Sequence, residues 1–220
     1  MDLIVVPGHA SFADHITEVP PDPQADEHWV LQAFQTGEPP FYIEHIKIGV
    51  DQLKLQPQAR LYFSGGRSRA ASHWSEAGTY DKIASHFNFW KTSETEKHDL
   101  NERTFTEEYA RDSFENLLFS LCAFYQRFNT YPQIVTVVGW AFKQARFDFH
   151  RQTLGIPADR FRYIGANNPD DLTIALQGEE KALEQFRADP WGKNPPLSFK
   201  RTERNPFGIV PPYPEQFTFI

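Results

Sequence analysis

Short β-rich runs alternate with longer stretches whose apolar residues recur every three or four positions. Leu3-Ile4-Val5-Val6 is the first run, ended by Pro7-Gly8. Ala59 to Phe63 is the second, stopped by Ser64-Gly65-Gly66. Ile134 to Val138 is the third, closed by Gly139-Trp140, and Phe161 to Ile164 the fourth, ended by Gly165. Strands apolar at successive positions have both faces covered, as buried parallel strands do. Between them, Ile43, Ile46, Val50 and Leu53 fall at helical spacing. A second helix is expected near Ser75-Glu76, where a serine before an acidic residue suits an N-cap and the helix dipole. The longest predicted helix runs from Thr106 to Phe128, with Thr104 or Thr106 as cap and Glu107 and Glu108 in its first turn. Ala141 to Leu154, stopped by Gly155 and Pro157, and Glu179 to Arg187 complete the helical segments.

Two stretches break the alternation. Residues 11 to 40 are rich in Pro, Asp and Glu, and a loop of that length is functional or loosely ordered; one helix is expected within it, from Trp29 to Phe34. From Asp189 the chain is proline-rich and is expected to wrap the surface in extended form. The domain reading is therefore one α/β unit over 1–188 with an extended tail, 189–220, packed on it. Alternating strands and helices imply a mostly parallel sheet in a three-layer α/β/α sandwich. Right-handed crossovers bring the strands' C-terminal ends to one edge, and ligands of such sheets bind where the strand order reverses. That geometry nominates three loops: Gly8-His9, Ser64-Gly65-Gly66-Arg67 and Gly139-Trp140-Ala141.

Charge narrows the partner. With 22 basic and 29 acidic residues the formal charge is −7, a surface ill suited to tracking a phosphate backbone. A small-molecule ligand is expected, and nucleic acid is not. Cys122 is the only cysteine, which excludes an intrachain disulfide and a thiolate metal site; a buried, inert thiol is expected. The first apolar run lacks the basic flank and length of a signal peptide, and no stretch approaches the ~20 apolar residues of a membrane span. A cytoplasmic chain without a membrane partner is the expectation; a protein partner is left open.

Ser64-Gly65-Gly66-Arg67-Ser68-Arg69 is the strongest local signal, placed after a strand and before a helix. Its glycines permit close approach of a ligand; its amides, with the positive end of the next helix, favour an anion, and Arg67 and Arg69 add charge. The plain alternative is a tight turn with solvated arginines. It is neither a Walker loop nor a G-x-G-x-x-G fingerprint. Glu108, Arg111, Asp112 and Asn116, three or four apart, would share a helix face able to grip a ribose, an amino-acid moiety or a metal, or would form a solvated ion-paired face. Trp140 beside Lys143 and Arg146 would stack a base and hold a phosphate, or be structural. His9, at the end of the first strand, suits an acid, a base or a metal ligand. His45 and His150 are expected to tie neighbouring segments together. No H-E-x-x-H and no G-x-S-x-G is present.

Taken in order, Val5-Val6-Pro7-Gly8-His9-Ala10, Phe63 to Gly66, Ser75-Glu76-Ala77, Thr106 to Asn116 and Val137 to Phe147 resemble the domain-of-unknown-function 218 family, which includes SanA and YdcF-like bacterial proteins. The likeness is nearest to its fungal, cytosolic branch, in which Trp29, Phe34-Gln35-Thr36-Gly37-Glu38 and Glu44-His45-Ile46 are also typical. It covers roughly residues 3 to 166. The resemblance implies a Rossmann-like fold with a pocket at the strand C-termini, and S-adenosylmethionine as the candidate cofactor. On this chain the family's motifs fall on Ser64, Gly65 and Gly66, on Ser75, Glu76 and Ala77, on Glu108, Arg111, Asp112, Ser113, Glu115 and Asn116, and on Lys143 and Arg146. The chain departs at Pro7, and the membrane anchor of many bacterial members is not expected here.

The leading expectation is a binder of a small anionic or nucleotide-like metabolite at this edge, with Gly8, His9, Ser64, Gly65, Gly66, Arg67, Ser75, Glu76, Glu108, Arg111, Asn116, Trp140, Lys143 and Arg146 as its ligand-binding residues. The first alternative is a metal-assisted hydrolase of a phosphorylated metabolite, with His9, Glu76, Glu108 and Asp112 holding a divalent ion. The second is a non-catalytic interaction module using the acidic loop and the tail.

Overall fold

The computed structural model describes residues 1–90, 93–169 and 171–214. Each apolar run forms a strand: β1 (Asp2–Pro7), β2 (Ala59–Ser64), β4 (Val135–Gly139) and β5 (Phe161–Gly165), joined by β3 (Thr104–Glu107). All pair in parallel in the order β3-β2-β1-β4-β5. The order reverses beside β1, so the crevice lies between the loops that leave β1 and β4.

Successive residues of β1 face opposite layers. Ile4 and Val6 enter one core with Ile46, Val50 and Leu53 of α1 (Pro39–Leu55) and Tyr80 and Ile83 of α2 (Glu76–His86). Leu100, the buried residue of α3 (Glu94–Glu102), joins them. Leu3 and Val5 enter the other core. There they meet Phe114, Leu117 and Leu121 of α4 (Ser113–Phe128), Phe147 of α5 (Gln144–Thr153), Phe186 of α6 (Leu172–Ala188) and Leu197 of α7 (Leu197–Glu203). The four apolar residues of β1 are wholly buried, each stabilising by roughly 1.5–3 kcal/mol. The result is a three-layer α/β/α, Rossmann-like sandwich.

Four local expectations are corrected. Thr104 to Glu107 is an edge strand, not the start of the long helix; α4 begins at Ser113, where Oδ1 of Asp112 accepts from the Glu115 amide at 2.9 Å. No helix spans Trp29 to Phe34: Trp29 pairs with Phe12 in an isolated antiparallel bridge, between two single 3-10 turns. Pro39 and Pro40 open α1 rather than close the loop, since proline at the first turn forfeits no helical hydrogen bond. The tail is not wholly extended, because Leu197 to Glu203 forms α7. Among the described residues no helix is long and apolar enough to cross a membrane.

Candidate functional site

Glu76 is the hub of the strand-end edge. Ser75 caps α2, its Oγ accepting from the Gly78 amide at 2.8 Å. The amides of Glu76 and Ala77 donate to the carbonyls of Gly66 and Gly65 at 3.1 and 3.0 Å. The first-turn amides expected to face an anion are thus consumed by the glycine loop itself. The glycines likewise make room for protein. A Cβ on Gly8 would fall 2.4 Å from Cβ of Glu76, and one on Gly65, at φ +155°, 2.7 Å from its Oε2. Gly66 is pressed against the carbonyls of Glu108 and Ala110. Ser68 donates its hydroxyl to Oε1 of Glu76. Burial raises the Glu76 carboxyl, although Ser68, Arg204, Arg69 and Lys143 all favour its ionised form.

Behind this loop sits a carboxyl that the sequence reading assigned to a helix turn. Ser64 Oγ donates to Oε2 of Glu107 at 2.6 Å, and the Tyr109 amide to Oε1 at 2.8 Å. Asn116 Nδ2 donates to the Ser64 carbonyl at 2.9 Å. Burial pushes Glu107 up to about 7. Ser64 and Asn116 are therefore consumed in a buried network. Glu108 does not join it; its carboxylate accepts from Ser75 at 2.8 Å and from Thr106 at 2.9 Å. With Arg67, Thr106, Tyr109 and Ile209 it lines an open hollow of about 350 Å³.

Across the crevice, His9 follows β1. Its ring lies 5.4 Å from Tyr42, 5.4 Å from His45 and 6.0 Å from Trp140, centroid to centroid, and Nε2 is sealed without a hydrogen-bond partner. Burial, then Lys143, His45 and Arg146, hold the imidazole well below its ordinary range. Its carbonyl accepts from Gln35 at 3.0 Å; Gln35 also donates to the Tyr42 hydroxyl at 3.0 Å, and that hydroxyl donates to Glu38. Gln35, Glu38 and Tyr42 were not nominated, although two of them stand in the Phe34-to-Glu38 run that drew notice in the sequence.

Trp140 is only 2% exposed and is enclosed by Phe41, Tyr42, His45 and Phe142. Its indole is core and offers no free face to a base. Lys143 is different. Its ammonium has no hydrogen bond or ion pair among the described residues, its one ring contact being Phe142 at 5.5 Å. Burial, then Arg146, bring it down to about 7 against the pull of Glu179 and Glu38. Arg146 pairs with Glu179 at 2.7 Å and leaves Nε sealed and unpartnered. His45 and His150 do tie segments together, to Asn167 at 2.7 Å and Ser113 at 2.9 Å.

Arg111 and Asp112 are occupied elsewhere. Arg111 forks onto Glu115 at 2.8 and 2.5 Å, while Arg201 of α7 donates to Asp112 at 2.6 Å. Next to α7, Arg204 donates to the Arg111 carbonyl at 3.0 Å and has no ion pair among the described residues. Phe207 lies over the Arg67 guanidinium at 4.0 Å. The shared helix face proposed for Glu108, Arg111, Asp112 and Asn116 does not exist, because the first two precede the helix and the third caps it. Nor do His9, Glu76, Glu108 and Asp112 converge as ligands; among the described residues no three His, Cys, Asp or Glu side chains are placed to hold a metal ion.

What the fold does bring together is a set of cations from three elements. Arg69 after β2, Lys143 after β4 and Arg204 after α7 all act on the Glu76 carboxyl. The side chains of Arg69 and Lys143 have neither hydrogen bond nor ion pair among the described residues.

These features define a parallel α/β protein with a cation-rich strand edge. The chain is similar to the uncharacterized protein YOR238W of Saccharomyces cerevisiae, with 34% identity over 123 residues, which are 49% of this chain and 40% of the yeast protein. The chain thus matches less than half the length of that relative. No protein-family model matches the chain, and no solved structure does.

Proposed function

We propose that this protein binds a small phosphorylated metabolite in the crevice between the loops after β1, β2 and β4. One observation carries the reading: Arg69 after β2 and Lys143 after β4, neither in an ion pair among the described residues, stand at one strand-end edge beside the switch in strand order, and both, with Arg204, act electrostatically on Glu76. A partly buried cation with no direct ion pair gains from a ligand that supplies one. Lys143 has lost much of its hold on its proton in the free protein, and an anion beside it would restore that proton.

S-adenosylmethionine, suggested by the resemblance to the domain-of-unknown-function 218 family, fits less well. Its sulfonium would enter a positive field, and the indole that might have stacked its adenine is buried. The lone thiol, Cys122, is buried and raised to about 12 by that burial; an unreactive thiol of this kind is at home in the cytoplasm, where we place the protein. Calorimetry of the full chain with inorganic phosphate, a nucleoside monophosphate, S-adenosylmethionine and S-adenosylhomocysteine tests the reading. Heat with the phosphates that disappears in Arg69→Ala and Lys143→Met supports it. Binding of S-adenosylmethionine alone, or of nothing, overturns it.

A further inference from the structure

A cluster of cations attracts any anion of suitable size, but here an acidic side chain stands among them. Glu76 is half-buried, and its Oε1 is held by Ser68. Its Oε2 accepts no hydrogen bond among the described residues and is not sealed from solvent. Two glycines flank that oxygen, each too close to tolerate a methyl group: a Cβ would lie 3.0 Å away at Gly8 and 2.7 Å away at Gly65. Arg69 from the β2 loop, Lys143 from the β4 turn and Arg204 from the tail stand within electrostatic reach of the carboxyl, none of them in an ion pair with it among the described residues, while Tyr80, on α2 itself, feels its charge.

An anion drawn into this cluster brings its oxygens against Oε2. Two anionic oxygens repel at hydrogen-bond distance unless one proton lies between them. A phosphate monoester, whose second ionisation lies at about 6, offers such a proton only in its singly ionised form, whereas inorganic hydrogen phosphate keeps one throughout the neutral range. Its P–O–H then donates to Oε2, its remaining oxygens accept from the cations, and no covalent bond changes. A sulfate dianion has no proton to offer, so Glu76 must first take one from solvent, at a cost that rises with pH.

We propose that Glu76 selects for an anion carrying an exchangeable proton, so that phosphate is bound in preference to sulfate. The proposal rests on the anion-binding reading above and adds to it the class of anion and the residue that chooses it.

The experiment is calorimetry of the full chain with inorganic phosphate and with sulfate, at pH 7.5 and pH 5, for wild type and Glu76→Gln. Glutamine keeps the shape and can still accept from Ser68, but presents an N–H donor where Oε2 was. Wild type should prefer phosphate by about tenfold or more at pH 7.5, the worth of one hydrogen bond to a charged group, and the preference should shrink at pH 5. Glu76→Gln should bind both anions within about threefold of each other. Equal binding of the two by wild type at pH 7.5, or an undiminished preference in Glu76→Gln, overturns the inference and leaves the anion site standing. Binding of neither anion by wild type removes the anion site and this inference together. If Glu76→Gln does not fold, the wild-type pair of pH values decides alone.

Discussion

Arg201 donates from Nε to Oδ2 of Asp112 at 2.6 Å, and the same nitrogen lies 3.2 Å from Oε1 of Glu115. This clasp fastens the C-terminal segment to the N-terminus of α4. The side chains of Arg201 and Asp112 are 12% and 9% exposed, so removing the guanidinium leaves a buried carboxylate without its countercharge. Breaking one side of such a pair costs about 3–5 kcal/mol. Arg201→Ala should therefore lower the urea midpoint strongly and open the segment after 189 to proteolysis, with Arg201→Lys in between. Burial raises Asp112, but Arg201 outweighs it and holds the folded value below the usual carboxylate range. The contribution is present above the unfolded value and fades as pH falls through the folded one. The gap between wild type and Arg201→Ala should accordingly narrow in acid; a gap unchanged by pH contradicts this account.

Glu107 works in the opposite direction. Its folded value, about 7, lies above the ordinary carboxyl value, so the folded state holds the proton more tightly than the unfolded state. That stabilisation is full below the unfolded value and is lost as pH rises through the folded one. Wild-type stability should decline between about pH 5 and 8, by up to about 3 kcal/mol. Glu107→Gln should be flatter across the same window. Parallel pH–stability curves for the two proteins would refute the assignment.

Two glycines separate packing from conformational freedom. Gly8→Ala drives a methyl group to 2.4 Å from Cβ of Glu76 and should cost about 1–3 kcal/mol by overpacking, together with anion binding. Gly178, exposed within α6 with nothing near its missing Cβ, should gain roughly 0.5–1 kcal/mol as alanine. Thermal unfolding of both variants checks the pair, and a stabilised Gly8→Ala would contradict the packing described.

The apolar centres of β1 and β4 were legible because they are buried on both faces; β2 and β5, which carry Arg60 and Arg162, were legible from their aromatic residues and closing glycines. β3 was not. Thr104-Phe105-Thr106-Glu107 is a short edge strand with alternating polarity, and its threonines followed by Glu107 and Glu108 mimic a capped helix start; the true cap, Asp112, stood inside the apolar stripe assigned to that helix. α3 buries only Leu100, too little for a periodic signal. α7 is short and is anchored by Arg201, a long-range contact that no local pattern announces. The site was legible as an edge, since strand ends and glycine loops locate it. Which residues remain free there was not, because occupancy is set by partners distant in sequence. Glu107 takes Ser64, Ser75 takes Glu108, Arg201 takes Asp112, and the aromatic cluster takes Trp140. Arg204, in a segment read as a surface tail, could be brought to Glu76 only by the fold.

Lys143 gives the site a pH dependence. With its ammonium at about 7, it is largely neutral above that pH in the free protein, and an anion must bring the proton back. Phosphate affinity should fall between pH 7 and 9, by up to about tenfold per unit. At pH 8.5 the binding heat should vary with the buffer, as uptake of a proton requires. Lys143→Met should bind weakly and without this dependence. An affinity constant from pH 7 to 9 in wild type would show that Lys143 does not meet the anion.

The most direct test of the account follows inorganic phosphate into the full chain by nitrogen-detected NMR of the Arg and Lys side chains. The account predicts that the signals of Arg69, Lys143 and Arg204 move together along one saturation curve, while Arg201, clasped to Asp112, stays in place. Shifts scattered over exposed lysines, or three residues titrating with unrelated midpoints, would contradict it.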